Sequence, residues 1–288
     1  MKKNATLRIL VNIVFIVLFL WAISKINLQA FLQNFSKINV WLLVLVLILF
    51  LISHIVKAFR FSILIKNLPF KEVFIVTIYQ NFFIFLLPFR LGELTYIKKL
   101  KDYNVDWKKS VQDLVLIKGY DVLVLSILAG FIFVSFSSNL SDYSFVPYVL
   151  MPLAILGIVF FDKFFKTEKI TILKKIKLFF LSLLVWFSAF LPWALILSRY
   201  FDLKPFEIIF IIGLTLISSI FPINPPAGAG LINSVWALGL LLVGVNKEVA
   251  LNFGMFAYSI YVFEIVLVFL FVKSMETNFF KKLSIRNK

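Results

Sequence analysis

Apolar runs of nearly bilayer length constrain this chain more than any other feature. Stretches such as Trp41–Ser53 and Tyr120–Phe136 hold few charges. They sit inside segments that approach the roughly 20 residues a helix needs to cross hydrocarbon. Hydrophobic residues make up 62% of the chain, with mean hydropathy +1.01, against about half in soluble domains. A soluble fold of 288 residues has no core large enough for 36 Phe and the Leu, Ile and Val between them. The expectation is an all-α integral membrane protein, a single polytopic domain over 1–288.

The chemistry open to such a chain is narrow. With no cysteine, disulfides, thiol catalysis and thiolate metal sites are excluded. One histidine, His54, leaves neither a histidine metal cluster nor a Ser-His-Asp triad. No metal, cofactor or catalytic residue is expected. The net charge of +16 lies in short segments between apolar runs, where membrane topology and anionic headgroups account for it. Nucleic acid is therefore not an expected partner; membrane lipids, chiefly anionic, are, and a homo-oligomer stays open. Met1–Arg8 with the apolar stretch after it resembles a signal peptide, but Ser24-Lys25-Ile26-Asn27 is a poor cleavage site. A retained first span is expected there.

Apolar segments fall at about 8–24, 40–60, 70–88, 113–137, 145–161, 178–198, 206–221, 229–245 and 249–272. Lys57, Arg60, Lys66 and Lys71 precede segment 70–88, and Lys98, Lys99, Lys101, Lys108 and Lys109 follow it. Both clusters belong in the cytoplasm, which one crossing cannot satisfy. The conflict disappears if 70–88 enters and the chain returns through about 91–100, a re-entrant pair with Pro88 to Glu93 at its tip. Glu72, Thr77, Gln80 and Asn81 suit a helix that faces protein rather than lipid. Segments 206–221 and 229–245 take the same form, because the prolines and glycines of 221–230 allow no continuous helix.

About six full spans and two oppositely oriented re-entrant pairs then place both termini in the cytoplasm of a cell (plasma) membrane protein. Only Lys25, Lys37, Arg199, Lys204 and Lys247 lie outside, and Arg90 and Lys118 at membrane depth. Each pair is followed by a span carrying an acid, Asp121 or Glu264. The connectors Asn-Val-Asp-Trp-Lys-Lys-Ser (104–110) and Gly-Val-Asn-Lys-Glu-Val-Ala (244–250) are alike. Halves at about 70–137 and 206–272 thus read as an inverted repeat, as in transporters with midplane sites built from broken helices.

The candidate site follows from charge at membrane depth. An ionisable group costs about 2.5–3.5 kcal/mol at the bilayer centre, so it normally faces a cavity or a partner. Arg90 has the planar fork that grips phosphate or carboxylate. Glu93 either shares the site or neutralises Arg90, and Gly92 lets the chain turn. Lys118 and Asp121 are one helical turn apart and either pair structurally or join the site. Glu264 stands in the last span after Tyr258 and Tyr261, as a proton-coupled or a packing acid. Freed backbone at Pro226, Gly228 and Gly230, with Asn233 beyond, is placed to meet a polar ligand. His54, Lys57 and Arg60 form one stripe; snorkelling to headgroups accounts for the basic pair, and His54 reads as a satisfied buried ring.

At these residues the chain resembles the flippase-like transmembrane domain of the lysylphosphatidylglycerol synthase family. The resemblance is carried by Lys57-Ala-Phe-Arg60-Phe, by Pro88-Phe-Arg90-Leu-Gly92-Glu93, by Lys118-Gly-Tyr-Asp121 and by Pro226-Ala-Gly228-Ala-Gly230-Leu-Ile-Asn233. It departs from the family pattern at Ala227 (glycine), Asn233 (glutamate), Ile117 (glutamate) and Tyr96 (arginine). The resemblance implies a lipid translocator whose substrate-binding residues include these positions. It does not imply aminoacyl-lipid synthesis, since a soluble synthase domain is absent from this length. Other readings are a membrane transferase using a lipid-linked substrate, for which no acid cluster is visible, and an accessory subunit or channel.

Overall fold

A computed structural model describes residues 39–65, 68–136, 171–219 and 230–286, together with the single residues 17, 152 and 228. The expected spans at 8–24 and 145–161, and most of the tip 222–230 including Pro226, lie outside the described residues. Every regular element described is helical: α1 (Val40–Ser62), α2 (Phe70–Leu86), a 3-10 turn (Pro88–Arg90), α3 (Glu93–Asp102), α4 (Trp107–Phe136), α5 (Ile172–Tyr200), α6 (Pro205–Ser218), α7 (Leu231–Leu242) and α8 (Lys247–Arg286). Among the described residues, three helices are long and apolar enough to cross a membrane: Val40–Ser62, Ile172–Tyr200 and, within α8, Lys247–Glu276.

The chain divides into two compact units. The first comprises Lys37–Thr77 and Tyr96–Phe221. In it, α1 starts where the Asn39 side chain accepts a hydrogen bond from Trp41 N–H at 3.0 Å, filling one orphan donor of the first turn. α1 packs along α5, with Phe50 edge-on to Trp193 at 5.6 Å. α6 opens on Pro205, whose missing N–H costs nothing in a first turn, and Glu207 accepts from Lys204 N–H at 2.8 Å. Gly213 brings α6 against α4: a Cβ there would lie 2.1 Å from Ile132 Cδ1. The core gathers Phe61, Tyr96, Leu100, Leu114, Ile117 and Leu178, with the Phe61 and Tyr96 rings 4.7 Å apart.

The second unit contains Ile78–Thr95 and Pro222–Lys288. Here the end of α2 packs on α8 through Phe82, Phe85, Tyr258, Val262 and Ile265, and Phe82 stacks on Phe269 at 3.8 Å. Tyr79 O–H donates to the Glu276 carboxylate, and Lys273 Nζ donates to Tyr79 Oη at 3.1 Å. α7 lies close on α8 because Gly254 has no side chain; a Cβ would stand 2.3 Å from the Asn233 carbonyl oxygen.

α2 behaves as its polar residues predict. Thr77, Gln80 and Asn81 are buried, as are Val73, Val76, Ile78 and Phe85 around the rest of the helix, so no lipid-facing stripe runs along it. Glu72 accepts from Tyr103 O–H.

The two connectors alike in sequence are also alike in backbone. Val105 N–H reaches Leu100 O at 3.1 Å and Asn104 N–H reaches Lys101 O at 3.0 Å; Val245 reaches Leu240 O and Gly244 reaches Leu241 O, both at 3.0 Å. Asn104 (φ 59°) and Gly244 (φ 87°) both take the left-handed conformation, so each connector closes its helix with a Schellman motif. The next helices then start alike, Ser110 N–H on Asp106 O at 3.0 Å and Ala250 N–H on Asn246 O at 2.9 Å.

Candidate functional site

The break after α2 is built from its own sequence. Pro88 forces Leu87 out of helix (φ −93°, ψ 140°), and Phe89 and Arg90 then both adopt positive φ, 52° and 56°. A left-handed backbone costs an L-residue about 1–2 kcal/mol, and a bulky residue such as Phe is a genuine outlier there. Gly92 is fixed by contact: a Cβ would come within 2.0 Å of the Phe83 carbonyl carbon and the Ile84 nitrogen. The returning chain therefore presses against the end of α2. Beyond it, Thr95 N–H bonds to Gly92 O at 3.0 Å and Thr95 Oγ1 donates to the same oxygen at 2.6 Å, starting α3.

That turn aims Arg90 at Glu93, Nε to Oε1 3.5 Å, with both side chains 22% exposed. Glu264 is buried, and Tyr261 meets Phe85 edge-on at 5.5 Å. Arg90, Gly92, Glu93, Tyr261 and Glu264 belong to one compact unit. Asn233, in the same unit, donates from Nδ2 to Met255 Sδ at 2.9 Å, while its buried Oδ1 has no hydrogen-bond partner. Gly228 (φ 62°) and Gly230 (φ 87°) hold left-handed backbone, and the space around Gly230 is open.

Lys118 and Asp121 belong to the other unit, and there the expected headgroup role of Arg60 is corrected. Arg60 does not snorkel to the surface; its side chain is 1% exposed. It forms a salt bridge with Asp121 through Nη1, and Nη2 lies 3.4 Å from Oδ2. Arg60 Nη1 also donates to Ser182 Oγ at 3.0 Å, and Trp186 Nε1 donates to Asp121 Oδ1 at 3.0 Å. Ser182 and Trp186 are one turn apart on α5, so the cluster ties α1, α4 and α5 together. The pairing is the physical reason Arg60 stays inside: a buried charge is retained when a partner and hydrogen bonds replace its water. Lys118, one turn before Asp121, is half-buried, as is Lys57. The signal available beforehand was the Lys118-x-x-Asp121 spacing, which marked Asp121 but not its partner. His54 is half-buried. Among the described residues, no three His, Asp or Glu side chains converge as a metal site.

Helices of membrane-crossing length and apolarity, with charged side chains enclosed among them, define a multi-pass membrane protein. Residues 8–270 match the lysylphosphatidylglycerol synthase TM region. The chain belongs to that family. No curated protein and no solved structure matches significantly.

Proposed function

We propose that this protein binds an anionic phospholipid or polyprenyl-linked headgroup at Arg90 and carries it across the membrane, without covalent chemistry. The observation that carries the reading is Arg90 itself: a permanent cation on strained left-handed backbone at a helix break, still 22% exposed beside Glu93. Strain of this kind persists where the surrounding structure over-determines it, and it clusters at ligand sites. The guanidinium suits a phosphate because it offers paired donors in one plane. Glu93, Glu264 and Asn233 supply acceptors around the ligand, and Gly228 and Gly230 supply backbone free of side chains.

In this reading α2–α3 and α6–α7 are re-entrant pairs entering from opposite faces, with about six full spans and both termini in the cytoplasm. The matching connectors support an inverted repeat, which provides the two faces that alternating access needs. The test is mass spectrometry of lipids that co-purify with wild type and with Arg90→Ala. One anionic class enriched in wild type and lost from the variant is expected; identical, bulk-like profiles would leave Arg90 a structural charge.

A further inference from the structure

The turn that carries Arg90 is pressed onto the end of α2 by the close approach at Gly92, so the position of α2 sets the position of Arg90. In the same compact unit, α8 carries Glu264. The register of α2 on α8 therefore decides how the cation stands relative to that acid. Most of the contact between the two helices is aromatic. Three α2 rings gather on Phe269 of α8: Phe82 at 3.8 Å, Tyr79 at 5.2 Å and Phe83 at 6.2 Å between centroids. Ring pairs are attractive over a range of offsets and angles, so they hold the helices together without fixing one register. A polar cluster beside them is directional. Tyr79 O–H donates to the Glu276 carboxylate, and Lys273 Nζ donates to Tyr79 Oη at 3.1 Å while lying 3.9 Å from Glu276 Oε2. The Glu276 side chain is only 12% exposed. A hydroxyl donating to a carboxylate makes a charge-assisted bond, about twice as strong as a neutral one, and such bonds weaken steeply once their angle is lost. The unit takes in α2 only from Ile78 onward, so Tyr79 stands where the helix enters it.

We propose that Tyr79, Lys273 and Glu276 form a clasp that fixes the register of α2 on α8 and thereby positions Arg90 for its anionic headgroup. This rests on the headgroup reading of Arg90. All three are positioning residues, acting through α2 rather than on the ligand. The clasp is separable from the packing around it, because Tyr79→Phe removes the hydroxyl and leaves the ring on Phe269. Glu276→Gln is the graded variant: its amide oxygen still accepts from Tyr79 but carries no charge.

The test uses the absence of native cysteine. Spin labels at Leu94→Cys and Leu270→Cys, both exposed and in the same unit, report the distance from the tip to α8 by electron–electron double resonance in the full purified chain. One narrow distance is expected with the clasp intact, a broadened or second distance with Tyr79→Phe, and an intermediate result with Glu276→Gln. Phe82→Leu, which removes the closest ring contact, is expected to lower thermal stability and keep the single distance. Native mass spectrometry with phosphatidylglycerol, on the chain without labels, is expected to show about tenfold weaker binding in Tyr79→Phe. An unchanged distance in Tyr79→Phe would overturn the clasp. So would equal broadening in Phe82→Leu, because packing alone would then set the register. If Arg90→Ala binds phosphatidylglycerol as wild type does, the headgroup reading of Arg90 fails, and the distances still decide whether the clasp holds α2.

Discussion

At the scale of the residue, two glycines of similar appearance in the sequence do different work. Gly92 has backbone atoms of α2 at 2.0 Å from where its Cβ would be, while Gly230 has nothing within 4 Å and needs only its positive φ. Gly92→Ala is therefore expected to destabilise by about 3 kcal/mol through a clash with backbone that cannot yield. Gly230→Ala should cost about 1–2 kcal/mol, the backbone term alone. Thermal unfolding of the two variants in detergent measures the difference, and equal losses would mean that the tight turn after Pro88 is not packed as described. The Arg60–Asp121 pair is expected to behave as enclosed charges do. Asp121→Ala leaves a buried guanidinium without its partner and should destabilise by about 3–5 kcal/mol, more than replacing both residues by apolar ones of similar volume. That pair was not legible in the sequence. Its members are far apart along the chain, and no local spacing reveals which cation will reach Asp121; the placement of Arg60 near a helix end favoured a headgroup role that burial rules out.

At the scale of the element, much was legible because helix breaks are written locally. Pro88 and Gly92 marked a break with a return at about 91–100, and α3 runs Glu93–Asp102. Segments 206–221 and 229–245 correspond to α6, Pro205–Ser218, and α7, Leu231–Leu242. The largest difference is α8. The apolar segment ends at 272, yet the helix continues to Arg286, because hydropathy marks where lipid would end, whereas a helix runs on while its residues tolerate the conformation. Likewise α4 begins at Trp107, ahead of the apolar onset at 113. The matched connectors make a prediction at this scale. Asn104 is exposed and already left-handed, so Asn104→Gly should alter stability by no more than about 0.5 kcal/mol. Gly244→Ala places a Cβ on left-handed backbone and should cost about 1–2 kcal/mol. Chemical denaturation of the two variants checks the contrast.

At the scale of the whole molecule, the central matter is which side of the membrane each connector faces. The topology proposed from charge placement has the 104–110 connector in the cytoplasm and the 244–250 connector outside, the arrangement of an inverted repeat. The chain has no native cysteine, so single substitutions report without background. Asn104→Cys is expected to react with an impermeant thiol reagent only from the cytoplasmic face, and Asn246→Cys only from the outer face. Labelling of both from one face would remove the inverted arrangement.

The most direct measurement is the rate at which the purified protein moves a fluorescent anionic phospholipid between the leaflets of liposomes, for wild type against Arg90→Ala at matched reconstitution. The account predicts rapid movement by wild type and a fall of tenfold or more in the variant, about 1.4 kcal/mol or more of lost headgroup binding. Equal rates in the two proteins, or no movement above empty liposomes, would contradict it.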